Sequence, residues 1–100
     1  MEALEITYLD GDGGLRLAGE LDMHTARQLK EAFANVGNNG GATLDLSEVT
    51  FIDSSGLHAI VECARAQNGS EPLILVGASE LTVRLLEITD LVRHPDLEIR

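Results

Sequence analysis

The sequence predicts a single α/β domain over residues 1–100. It should hold a mixed sheet of four to five strands and three to four helices, opening as an antiparallel hairpin and continuing β-α-β-α. Three observations carry the prediction. Two alternating apolar stretches near the start flank a glycine-rich turn, and three later stretches carry apolar residues at helical spacing. Short apolar runs of strand length lie between those helices. A chain of 100 residues suffices to bury one core.

Residues 4–8, LEITY, alternate with Leu4, Ile6 and Tyr8 on one side, the pattern of a half-buried strand. DGDGG, at 10–14, is a turn, because glycine supplies the positive φ angles that a hairpin needs. LRLAGELD then alternates through Leu15, Leu17, Gly19 and Leu21 as the returning strand. From Asp22 to Val36 the period changes. Ala26, Leu29, Phe33 and Val36 are spaced by three, four and three and form one face of a helix, with Thr25 or Asp22 as its cap and Gly37 with NNGG as its stop. ATLDLS is the next strand, with Leu44 and Leu46 facing one way and Asp45 between them. Leu57, Ile60, Val61 and Ala64 mark a second helical face, ended by QNGS. LILV, after Pro72, is an uninterrupted apolar run and predicts a central strand covered on both faces. Ala78 to Ile88 is a third helix capped by Ser79, with Leu81, Leu85 and Ile88 in line, and PDLEIR is a short edge strand. Strands separated by helices run parallel through right-handed crossovers, so the sheet is mixed.

Composition narrows the function. Seventeen acidic against seven basic side chains leave a formal charge of −10. The basic residues, Arg16, Arg27, Lys30, Arg65, Arg84, Arg93 and Arg100, are scattered. Nucleic-acid binding depends on clustered Lys and Arg, and base stacking on aromatic platforms. With only Tyr8, Phe33 and Phe51 as aromatics, no nucleic-acid partner is expected. No stretch approaches the run of about 20 apolar residues that spans a membrane. The acidic, alternating start MEALEITYLD is unlike a signal peptide, so a cytoplasmic protein without a membrane partner is expected. The lone Cys63 makes no internal disulfide and reads as a small buried hydrophobe.

VTFIDSSGLHAIVECA, residues 49–64, is the stretch with chemistry in it. An apolar run breaks at Asp53, two serines and a glycine follow, and a helix begins at once. Strand-end to helix-start corners are where α/β sheets gather ligands, and the first N–H groups of a helix favour an oxyanion or phosphate. Three readings are open: a helix cap, a catalytic serine, or a place where phosphate is added and removed. His58 lies three residues after Ser55 on the same helix, but an i, i+3 pair lacks the orienting third group of a triad. No G-x-S-x-G elbow is present either. His24 and His94 stand apart and suggest no metal set, and GDGG lacks the lysine of a phosphate-binding loop. No cofactor is expected and no enzyme activity.

LDLSEVTFIDSSGL, 44–57, resembles the core motif of STAS-domain anti-sigma-factor antagonists. LAGELDMHTARQL, 17–29, resembles the family's second motif, and VRLLEITDLV, 83–92, its last helix, so the resemblance runs through nearly the whole chain in one order. It implies a STAS-like fold and a regulator that binds an anti-sigma factor with serine-kinase activity, so that the sigma factor is released. Phosphorylation by that partner turns binding off, and a serine phosphatase restores it. Carried over by position, the phosphoacceptor is Ser55, with Ser54 as the fallback, and Asp22 matches an acidic residue near the acceptor. The expected partner-binding set is Asp22, Asp53, Ser54, Ser55, Gly56, Leu57 and His58. The chain departs from the pattern at Asp90, where the family often has glycine, and at His58, where it commonly has a small or apolar residue. STAS-like domains also serve as unphosphorylated accessory subunits of lipid-transport ABC systems, which is the alternative. A Ser-dependent hydrolase is the third reading.

Overall fold

A computed structural model describes residues 4–9, 13–36, 41–67 and 71–100. The elements are β1 (Leu4–Tyr8), β2 (Gly14–Leu21), α1 (Ala26–Phe33), β3 (Thr43–Ile52), α2 (Ser54–Ala66), β4 (Leu73–Val76), α3 (Glu80–Ile88) and β5 (Leu97–Ile99), with a 3-10 turn at Leu91–Arg93 between α3 and β5. The five strands form one sheet in the order β1-β2-β3-β4-β5. β1 and β2 are antiparallel, and every later pairing is parallel, so the expected mixed sheet with an opening hairpin is found. Positions 10–12 of the hairpin turn, the predicted helix stop at 37–40 and most of the stop at 67–70 lie outside the described residues.

The core is largely leucine. Leu4, Leu15, Leu17, Leu21, Leu29, Leu44, Leu73, Leu75 and Leu86 have no more than 1% of their surface exposed, as does Ile60. Leucines of alternate strand positions meet Leu29 and Phe33 of α1 and the broad inner face of α2, from Leu57 through Ala64. Burying a side chain of this size is worth about 1.5–3 kcal/mol. A contiguous cluster of this kind fixes which face of each strand points inward.

Two expectations about packing are corrected. β4 is not covered equally on both faces: Leu73 and Leu75 are fully buried, whereas Ile74 and Val76 are half-buried. The apolar run reflects a strand in the middle of the sheet with one face against the core and the other partly open. In α3 the predicted line Leu81–Leu85–Ile88 faces inward only at Leu85, which is half-buried against the core. Leu81 and Ile88 are 69% and 72% exposed, and the buried residues are Thr82 and Leu86. The cap explains the rotation. Ser79 accepts a hydrogen bond from the Thr82 backbone N–H at 3.1 Å and its hydroxyl lies 3.1 Å from that of Thr82. With its hydroxyl satisfied, Thr82 can enter the core, which turns Leu81 outward.

β3 is the strand that positions the site. Its first part, Thr43–Asp45, lies between β2 and β4, but from Glu48 to Ile52 it pairs with β2 alone. Register shifts between Arg16 and Ala18 and between Gly19 and Glu20 give β3 two more residues than the stretch of β2 it faces. Such bulges bend a strand and re-aim the residues beyond them. Here they deliver Asp53 to the end of β2.

Candidate functional site: the corner between the third strand and the second helix

Two corners lie side by side, one from β2 to α1 and one from β3 to α2. The Asp53 N–H donates to the Leu21 carbonyl at 3.3 Å and ties them together. Asp53 is the N-cap of α2, with extended backbone angles, and its carboxylate accepts from the Gly56 N–H at 3.0 Å. Gly56 is required by close approach. A Cβ there would stand 2.4 Å from the Leu21 carbonyl oxygen, 2.9 Å from Leu21 Cγ and 3.0 Å from Ile52 Cγ1. Asp-Ser-Ser-Gly is thus partly a packing motif: the aspartate starts the helix and the glycine lets it lie against the end of β2.

Asp22 has a structural task as well. Its Oδ1 accepts from the backbone N–H groups of His24 at 2.9 Å and Thr25 at 3.1 Å. The Thr25 hydroxyl accepts from Asp22 N–H at 2.9 Å and donates to the Glu20 carbonyl at 2.8 Å, which lets Thr25 be buried. Of the two predicted caps, the side chain of Asp22 organises the turn, while Thr25 is the N-cap residue of α1 and makes no side-chain cap bond.

The serines differ. Ser54, the first residue of α2, is exposed, whereas Ser55 is half-buried. Among the described residues no hydrogen bond engages either hydroxyl, and none joins a serine to His58. Gly56 and Leu57 are buried and frame the corner from inside. His58 points outward with 72% of its side chain exposed, and its Nε2 lies 3.4 Å from the Glu62 carboxylate one turn on. The other Glu62 oxygen accepts from Lys30 Nζ of α1 at 2.9 Å. The Lys30 ammonium, with His58 as a smaller contributor, holds the Glu62 carboxyl below its ordinary range.

Grooves flank this ridge on both sides. One, of about 500 Å³, runs between α1 and α2 and is lined by Met23, Lys30, Ser54, Ser55, His58 and Glu62, among others. The other, of about 250 Å³, lies between α2 and the segment after α3, with Ser54, His58, Val61, Arg65, Leu91 and His94 in its walls. Ser54 and His58 belong to both. Sequence reasoning found the corner but missed Glu62, Lys30 and the Thr89–His94 wall. Glu62 was readable as the i+4 neighbour of His58, whereas the others come from elements distant in sequence.

The remaining sites behave simply. Asp90 takes the left-handed conformation, φ 63°, between α3 and the 3-10 turn, so the departure from glycine keeps the helix-end geometry. Cys63 is buried on the inner face of α2, and burial pushes its thiol up to about 12. No group of three or more potential metal ligands occurs among the described residues, and none of their helices is long and apolar enough to cross a membrane.

The mixed sheet, the capped corner and the exposed serine between two grooves define a small STAS-type domain. The family model described as "Mlab, STAS domain" matches residues 6–98. An anti-sigma-B factor antagonist of Listeria monocytogenes is 39% identical over 94 residues, covering 89% of this chain and 82% of the relative. The chain therefore belongs to the STAS-domain anti-sigma factor antagonist family. A crystal structure of an anti-sigma factor antagonist from Mycobacterium paratuberculosis superposes with a TM-score of 0.80 at 25% identity, covering 94% of this chain and 84% of that one. The antagonist SpoIIAA shares the fold. Its unphosphorylated form gives a TM-score of 0.64 at 20% identity over 92% of this chain and 99% of its own. Its phosphorylated form, from Bacillus, gives 0.67 at 19% identity over 98% and 91%.

Proposed function

We propose that this protein is an anti-sigma factor antagonist controlled by phosphorylation at the corner. In its unmodified form it binds a kinase-type anti-sigma factor in the cytoplasm and so releases the sigma factor. Relatives named as anti-sigma-B factor antagonists support the antagonist role. The observation that carries the switch is the Ser54 hydroxyl, exposed and free of hydrogen bonds among the described residues, at the first position of a helix whose cap is already supplied by Asp53. Exposure reverses the order of the two serines expected from the resemblance. A kinase must bring the hydroxyl oxygen in line with the γ-phosphorus of ATP, and exposed Ser54 offers that access more fully than half-buried Ser55. In the transfer a Ser54 O–P bond forms, the bond from the γ-phosphorus to the bridging oxygen breaks, ADP leaves, and the hydroxyl proton passes to a base on the kinase.

The modification adds a charge of about −1.5 to −2 and three acceptor oxygens. The amino end of α2 tolerates that charge, so the fold survives. A partner surface that accepts a neutral hydroxyl beside Asp53 and Asp22 would then meet a negative cluster. Two charges against one carboxylate of the partner about 8 Å away, at an effective dielectric near 20, would repel by roughly 4 kcal/mol. Screened by half, that is about 2 kcal/mol and some thirtyfold in affinity. The partner set of the proposal is Asp22, Asp53, Ser54, Ser55 and His58 on the outer side, with Gly56 and Leu57 setting their positions from within. A serine phosphatase completes the cycle by hydrolysing the phosphoester.

The test is incubation with a kinase-type anti-sigma factor and Mg-ATP, followed by phosphosite mass spectrometry. The expected result is one phosphate on Ser54, absent in Ser54→Ala. Phosphate on Ser55 alone would return the switch to the other serine. A chain that binds an ABC-transporter ATPase and takes no phosphate would favour the accessory-subunit reading.

A further inference from the structure

We propose that His58 is the residue of this chain that holds the phosphate once Ser54 carries it, leaving its present partner Glu62; this rests on the phosphorylation reading above. Ser54, His58 and Glu62 follow at intervals of four along α2, so His58 stands one turn from each. Residues at this spacing have Cβ atoms about 5–6 Å apart, and a phosphoryl group on Ser54 would span most of that gap. Long side chains on a helix lean toward its amino end, so the natural reach of His58 is over the turn that holds Ser54. Both side chains lie in the walls of the same two grooves.

The competition favours the phosphate. His58 and Glu62 are 3.4 Å apart, longer than a well-formed hydrogen bond, and the imidazole is largely in solvent. Glu62 already has a stronger partner in Lys30 at 2.9 Å and keeps it when His58 leaves. A phosphate dianion offers the imidazole N–H groups a larger charge and three acceptor oxygens, against the single carboxylate oxygen of Glu62. The other charged groups around the imidazole are Lys30 across the α1 groove, Arg65 along α2, and His94 in the second groove. His94 Nδ1 is occupied, accepting from the Asp96 N–H at 3.1 Å. His58 is thus the imidazole nearest in sequence to Ser54 on α2, and the phosphorylated state exchanges its contact with Glu62 for one with the phosphate.

The measurement uses full-length protein with phosphoserine installed at position 54 during synthesis, so no kinase enters and its outcome is independent of the kinase assay. The Cε1–H resonances of the three histidines are followed by NMR against pH, assigned with His58→Gln, and the phosphoserine is followed by its 31P signal. A dianion held by the imidazole should displace the His58 Cε1–H resonance between modified and unmodified protein at one pH, while those of His24 and His94 move much less. The 31P midpoint should lie lower in protein with His58 than in His58→Gln. Because His58 is exposed, that variant keeps the fold. A His58 resonance that the modification displaces no more than those of His24 and His94 would overturn the proposal. So would a 31P midpoint that responds to Lys30→Gln but not to His58→Gln.

Discussion

At the scale of single residues, the corner works because each polar side chain has one defined task. Asp53 caps, Asp22 folds its own turn, Gly56 allows contact, and Ser54 is left over. Gly56→Ala tests this division. The new methyl would meet a backbone carbonyl 2.4 Å away, which cannot swing aside as a flexible side chain would. The variant should lose about 1–3 kcal/mol, with the melting temperature falling by about 4–8 °C per kcal/mol, as followed by circular dichroism. An unchanged melting temperature would mean that α2 does not lie against Leu21 as described. Cys63 gives a second residue-scale expectation. Burial moves its thiol from an ordinary 9.0 to about 12, so a thiol reagent at pH 8 should react slowly with the folded protein and rapidly in urea. The same shift makes stability depend on pH. Below about pH 9 the thiol is neutral in both folded and unfolded chains, and its contribution to stability is complete. As pH rises from 9 toward 12 only the unfolded chain ionises, and that contribution is lost.

At the scale of elements, α3 shows how a helix can be foreseen and its orientation missed. Its cap was legible because Ser79 followed by helix formers is a local signal. Which stripe faced inward was not, because Leu81, Leu85 and Ile88 form as good an apolar line as the one used. The outcome turned on whether Thr82 could satisfy its hydroxyl, and Ser79 does that. Leu86→Ala should therefore cost about 2–5 kcal/mol, whereas Leu81→Ser or Ile88→Ser should change stability by no more than about 0.5 kcal/mol, as read from urea unfolding. The reverse order of effects would restore the sequence-based face. β4 carries a related lesson. An unbroken apolar run shows that a strand is interior to the sheet, but not that both of its faces are equally covered. The mixed character of the sheet was legible, since a glycine-rich turn joins the first two strands and helices separate the next ones.

At the scale of the whole molecule, the corner could be read from the chain because its residues are contiguous, from Ile52 to His58. The walls around it could not. Lys30 and Met23 arrive from α1 and the turn before it, and Leu91 and His94 from beyond α3, brought in only by tertiary packing. Ranking Ser54 above Ser55 likewise required exposure, which pattern and spacing do not supply. With a leucine core and a prebuilt cap, the proposed switch changes the charge of the exposed corner and leaves the rest of the fold in place. SpoIIAA has been described in both unphosphorylated and phosphorylated forms, and this chain shares the fold of each. The most direct measurement is calorimetric titration of an anti-sigma factor with unmodified protein and with protein phosphorylated at Ser54. The unmodified protein should bind at least about thirtyfold more tightly, with both forms melting at similar temperatures. Equal affinities from two folded forms would contradict the switch.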